Sequence, residues 1–146
     1  MESFRLGQLT KELVAAKLRA MDDPCAAAAE IVKTTVSVAL RGMPDKREAW
    51  TGAIKDACQG GITGLLLAEQ NVAKGAVMML RGVGAVAVEN HMDPTEAMAA
   101  ALQGIADLKR FILPERMAEL KDAIDAEFMG AGECLGKLLE GVKVDA

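Results

Sequence analysis

Four prolines divide this chain, and they do so at a constant interval. Pro24 and Pro94 each follow an aspartate, Asp23 and Asp93. Pro44 and Pro114 each follow a large apolar residue, Met43 and Leu113, and precede the charged pairs Asp45-Lys46 and Glu115-Arg116. Within each pair the prolines stand 70 residues apart. Proline has no amide hydrogen to donate, so a helix accepts it in the first turn and not in the interior. Each proline therefore marks a helix start, and the two Asp-Pro steps add an N-cap carboxylate. The same offset pairs Ala53-Ile54 with Ala123-Ile124, Gly60 with Gly130, Leu65 with Leu135 and Val72 with Val142. Helix punctuation repeated in phase without a gap points to duplication of a three-helix unit. Unit one runs from about residue 3 to 72 and unit two from about 73 to 142, within a single domain spanning 1–146.

The apolar spacing agrees with helices throughout. Residues 6–21 carry Leu6, Leu9, Leu13, Leu18 and Met21 at spacings of three to five, with Arg5, Lys11, Glu12, Lys17 and Arg19 toward water. A second helix follows from Pro24 to Arg41. Its middle, 31–38, is rich in β-branched residues, which makes a strand the competing reading. The matching stretch 101–108 has a helical pattern, and the repeat decides for helix. Pro44 opens a third helix carrying Trp50, Ile54, Cys58 and Ile62. In the second half, Asp93-Pro94 with Glu96 resembles a capping box, and Met98, Ala101, Leu102, Ile105 and Ile112 supply the apolar face. The last helix starts at Pro114. Its seam is Met117, Leu120, Ile124, Phe128, Ala131, Leu135, Leu138 and Val142, a near-heptad pattern suited to bundle packing. The expected fold is all-α: a helical bundle of about six helices built from two three-helix repeats, with a pseudo-two-fold axis near 71–73.

The stretch 60–91 joins the two units. On one continuous helix, Thr63, Gln70, Lys74 and Arg81 make a narrow polar stripe, and Gly64, Gly75 and Gly82 a line beside it. The remainder is apolar, which marks a buried helix. Each glycine costs roughly 1 kcal/mol of helix propensity relative to alanine. Close helix packing offsets that cost, so Gly64, Gly75 and Gly82 are expected to form the seam where the units close. A break at Gly60-Gly61 or at Asn71 remains open at this level. Lys74 and Arg81 argue against a membrane span, since each costs roughly 2.5–3.5 kcal/mol at a bilayer centre.

Composition narrows the functional classes. Hydrophobic residues make up 51% and aromatic residues 3%, so Ala, Val, Leu, Ile and Met must fill the core. A net charge of −4 speaks against nucleic acid, which recruits a basic surplus. Three cysteines and no signal-like start point to a reducing cytoplasm without a disulfide framework.

Sites of chemistry are few. Gly82, Gly84 and Ala87 fit the loose dinucleotide pattern, but that pattern works only between a strand and a helix, and packing is the better reading. One histidine, His91, is too few for a ferritin-like di-iron centre. It also makes a weak soft-metal set with Met78, Met79 and Met92, methionine being this core's general filler. Glu119, Asp122 and Asp125 read as a solvated face. Cys25, in the first turn after Pro24, is the candidate reactive thiol because a helix dipole can favour thiolate there. Its alternative is a small packing residue, and Cys58 and Cys134 read as core cysteines.

No metal, no cofactor and no catalytic set is expected. The leading reading is a non-enzymatic helical module that self-associates, a homodimer first, or packs against partner helices. The alternative is a binding protein for an apolar, anionic, lipid-like ligand held between the repeats by Lys74 and Arg81. A third is peripheral membrane association through the basic first helix, with Lys11, Lys17 and Arg19.

Overall fold

The structure, a computed structural model, describes residues 24–43, 47–68 and 71–142. These residues form six α-helices and one short 3₁₀ turn, with no strand among them. The helices are α1 (Pro24–Gly42), α2 (Arg47–Leu67), α3 (Val72–Glu89), α4 (Pro94–Ala106), α5 (Pro114–Glu127) and α6 (Ala131–Gly141), with the 3₁₀ turn at Lys109–Phe111 between α4 and α5. The protein is an all-α bundle, as the spacing predicts. The predicted first helix, the Asp23 cap, Pro44 and Gln70 lie outside the described residues.

Helix starts follow the local chemistry. Asp93 accepts from the Thr95 amide at 2.9 Å, and Pro94 occupies the first turn. Asn71 caps α3, its Oδ1 accepting from the Lys74 amide at 3.1 Å. The stretch 31–38 lies wholly within α1, whose buried ridge of Cys25, Ala28, Ala29, Val32, Val36 and Leu40 steps by three and four. In α2, Trp50, Ile54, Cys58 and Ile62 are all buried. The Trp50 indole donates to the Met43 carbonyl at 2.7 Å and so ties α2 to the end of α1.

The structure settles one open point and corrects one expectation. The stretch 60–91 is not one helix: α2 ends at Leu67, and Asn71 starts α3. A good N-cap side chain competes with helix continuation, and here it wins. Gly64 therefore sits on a different helix from Gly75 and Gly82. The last helix is also two, because the chain leaves α5 at Phe128 and turns through Gly130 at φ 88° before α6. Left-handed backbone is natural for glycine and ends a helix. The seam survives the break as core, with Met117, Leu120, Ile124 and Leu135 buried inside the chain.

α3 is the central element. It packs against α1, α2, α4 and α5, which explains a helix apolar nearly all round. Lys74, Arg81, Ala85, Val88 and Glu89 are its exposed residues. Two glycines make close crossings possible. A Cβ on Gly104 of α4 would strike the Lys55 backbone carbonyl of α2, and one on Gly75 would strike the Leu65 side chain.

Candidate functional site

The residues singled out by sequence do not converge. Lys74 and Arg81 are both exposed on α3. Arg81 reaches α5, where its guanidinium meets Glu127 Oε2 at 2.6 Å, with side chains 57% and 43% exposed. Exposed pairs of this kind contribute roughly 0–1 kcal/mol. Thr63, from the same predicted stripe, donates to the Gln59 carbonyl of its own helix at 2.8 Å. On α3, Gly82 faces the Lys33 side chain of α1, and Gly75 faces Leu65. Both of these approaches lie within one chain.

Cys25 is buried, and its Sγ donates to the Asn71 carbonyl at 3.2 Å. The thiol thus links the start of α1 to the start of α3. Cys58 is buried deeper, and desolvation pushes its thiol up to about 12. Cys134 is half-buried. Gly82, Gly84 and Ala87 lie in the interior of α3, without the strand that a dinucleotide fingerprint requires.

His91 has a structural assignment. It stands at φ 59°, just past α3, with its amide bonded to the Val88 carbonyl and the Met92 amide to that of Ala87. That is the Schellman arrangement, with Met92 buried as its apolar contact. Among the described residues, no group of three or more His, Cys, Asp or Glu is placed to hold a metal ion. Glu119, Asp122 and Asp125 are exposed. Asp125 Oδ1 accepts from the amides of Gly130 and Gly132, at 3.2 and 3.1 Å.

The surface features of greatest interest are two grooves that the sequence reading missed. The first lies beside the 109–114 segment. Pro114 disfavours helix at the residue before it, and Leu113 is extended at φ −58°, ψ 142°. Ile112 turns into the core while its neighbours Phe111 and Leu113 stand 67% and 64% exposed. With Met117, Ala118 and Leu139 they line a groove of about 680 Å³ that also carries Lys109, Arg110 and Lys121. The second groove, about 410 Å³, runs between the start of α4 and the α5–α6 turn. Met98, Leu102, Phe128, Met129 and Cys134 line it with smaller residues, and none of the described residues that line it is charged. Met129 at its edge is 99% exposed. Neither groove involves Lys74 or Arg81. The signal available beforehand was local: apolar residues on both sides of Pro114, and Phe128-Met129 immediately before Gly130.

Fold and surface together define a helical bundle whose open features are apolar grooves. No helix among the described residues is long and apolar enough to cross a membrane. Comparison of the chain with protein-family models, with curated proteins and with solved structures gives no match.

Proposed function

We propose that this protein is a non-enzymatic helical interaction module that self-associates as a homodimer, through the surface around Met129. The observation that carries the reading is a fully exposed methionine at the edge of an uncharged groove. A two-fold interface places one patch against itself, so it needs a projection and a recess on the same patch. Met129 and the Met98–Leu102–Phe128 recess supply both, and methionine adapts readily to an irregular pocket. None of the described residues that line the recess is charged, so its floor sets no like charges against their copies. The cationic groove is a poorer dimer surface, because a two-fold axis through it would set Lys109, Arg110 and Lys121 against their own copies. An odd count of three cysteines, which gives no disulfide framework, suits a reducing cytoplasm as the place of action.

Sedimentation equilibrium of the full chain over micromolar concentrations tests the reading. A dimer for the parent protein and a monomer for Met129→Lys, with helicity unchanged, are expected. A parent protein that stays strictly monomeric overturns it, and so does a Met129→Lys dimer of unchanged affinity.

The same proposal includes duplication as the origin of the architecture. In its support, Pro24 and Pro94 each open a helix 70 residues apart. The units have diverged at their third helix: Gly60 lies inside α2, whereas Gly130 breaks α5 from α6.

A further inference from the structure

The groove beside the 109–111 turn is separate from the surface assigned to self-association. Phe111, Leu113, Met117 and Leu139 make it apolar, and three cations line it with no carboxylate among the described lining residues. Of the three, Lys109 is engaged, its Nζ donating to the Leu139 carbonyl at 3.0 Å at the end of α6. The Arg110 guanidinium stacks over the Phe111 ring at 5.7 Å from its centroid. Lys121 lies along α6, close enough that a Cβ on Gly136 would sit 3.4 Å from its Nζ. Neither Arg110 nor Lys121 makes an ion pair with any described residue.

An apolar trough with uncommitted cations is complementary to a molecule that is apolar along its length and anionic at one end. Chain burial supplies the non-directional part of such binding, and a guanidinium or ammonium at the edge selects the head. The volume falls within the roughly 300–1,000 Å³ usual for small-molecule sites. A protein partner needs roughly 800 Å² of surface on each side, for which a trough ringed by one cationic rim is a smaller match. We infer that the groove lined by Phe111, Leu113, Met117 and Leu139 binds a single-chain amphiphile with one anionic head group, held at Arg110 and Lys121. The chain lies along the apolar floor, and the head replaces water at the two cations.

Calorimetric titration of the full-length protein with dodecanoate, kept below its critical micelle concentration, provides the test, with dodecan-1-ol as the neutral probe of equal chain length. Saturable binding of dodecanoate, and binding of the alcohol at least about tenfold weaker, are expected. The double variant Arg110→Gln/Lys121→Gln should reduce the preference to near unity. Ala118 is exposed on α5 and lines the groove, so Ala118→Trp should block both probes without disturbing the core. A far-ultraviolet spectrum and melting curve of each variant separate loss of binding from loss of fold. Equal affinity for acid and alcohol overturns the proposal, as does dodecanoate binding unaffected by Ala118→Trp. Co-flotation with anionic phosphatidylglycerol vesicles without any dodecanoate binding overturns it in favour of a membrane surface. Saturable binding of an acidic amphipathic peptide without dodecanoate binding overturns it in favour of a protein partner.

Discussion

Gly104 of α4 lies directly against the backbone carbonyl of Lys55 in α2, with no room for a Cβ between them. The two helices meet backbone to side-chain-free backbone at this point. Lys55 also holds the crossing from the outside, its ammonium 3.5 Å from Asp107 just past the end of α4.

Gly104→Ala should therefore destabilise the protein by about 1–3 kcal/mol, because the crossing must open and overpacking outweighs the gain in helix propensity. Gly52 and Gly84 are helical glycines with nothing within 4 Å of a built Cβ. Alanine at either should stabilise by up to about 1 kcal/mol. Urea unfolding of the three variants reads the opposite signs. A neutral Gly104→Ala would show that α2 and α4 do not cross this closely in solution.

His91 occupies the left-handed position that ends α3, a place usually taken by glycine. A side chain there costs roughly 1–2 kcal/mol, part of which glycine gives back through the unfolded chain. His91→Gly is expected to raise stability by about 0.5–1 kcal/mol, measured by thermal melting, and His91→Val to lower it. If His91 instead served a ligand, the glycine variant would gain stability and lose binding together.

Asp125 closes a helix that has no cap of its own. Gly130 precedes α6 without a side chain to offer, and the Asp125 carboxylate, from α5, bonds the Gly130 and Gly132 amides instead. Gly132 is small because a Cβ there would come within 2.5 Å of the Asp125 Cβ. Asp125→Ala should cost about 1 kcal/mol, and Asp125→Asn less, since an amide oxygen still accepts. Amide exchange at the start of α6 should speed up before exchange elsewhere. Uniform acceleration throughout the bundle would argue against a local cap.

What the sequence made legible was what one element decides alone. Pro24, Pro94 and Pro114, the Asp93 cap, and the three-to-four spacing from Cys25 to Leu40 act within a turn or two, and they define helix positions well, whereas Asn71 was legible only as one of two possible breaks. The break at 128–130 was harder, because the apolar seam keeps its spacing across it. Met117, Ile124 and Leu135 all reach the core, so periodicity alone does not distinguish a bent pair from one rod. Gly104 shows the limit most directly. Nothing near it in sequence reports that Lys55 will approach, since the approach depends on how α2 and α4 cross. The grooves escaped for the same reason. The exposure of Phe111, Leu113 and Met129 is set by what fails to pack over them, and a pattern of apolar residues does not record an absence.

Cys58 gives the fold a dependence on alkaline pH. Its thiol lies in the core between Ile54 and Ile62 along α2, and burial lifts it from its ordinary value near 9.0 to about 12. Below about pH 9 the thiol is neutral in both folded and unfolded chains and leaves stability unchanged with pH. Between about 9 and 12 the unfolded chain releases the proton and the folded chain keeps it. The unfolded state then binds fewer protons, so stability falls as pH rises through this window. The unfolding constant should grow by up to roughly tenfold per pH unit from this one group. Comparing urea midpoints of the parent and Cys58→Ala from pH 8 to 11 isolates the effect, because the variant has no thiol at that site to titrate. Its curve should lie lower at pH 8, owing to the lost volume, and converge on the parent as pH rises. Parallel curves across the range would show that Cys58 ionises as readily folded as unfolded, and the α2 core would then be more open to water than its packing indicates.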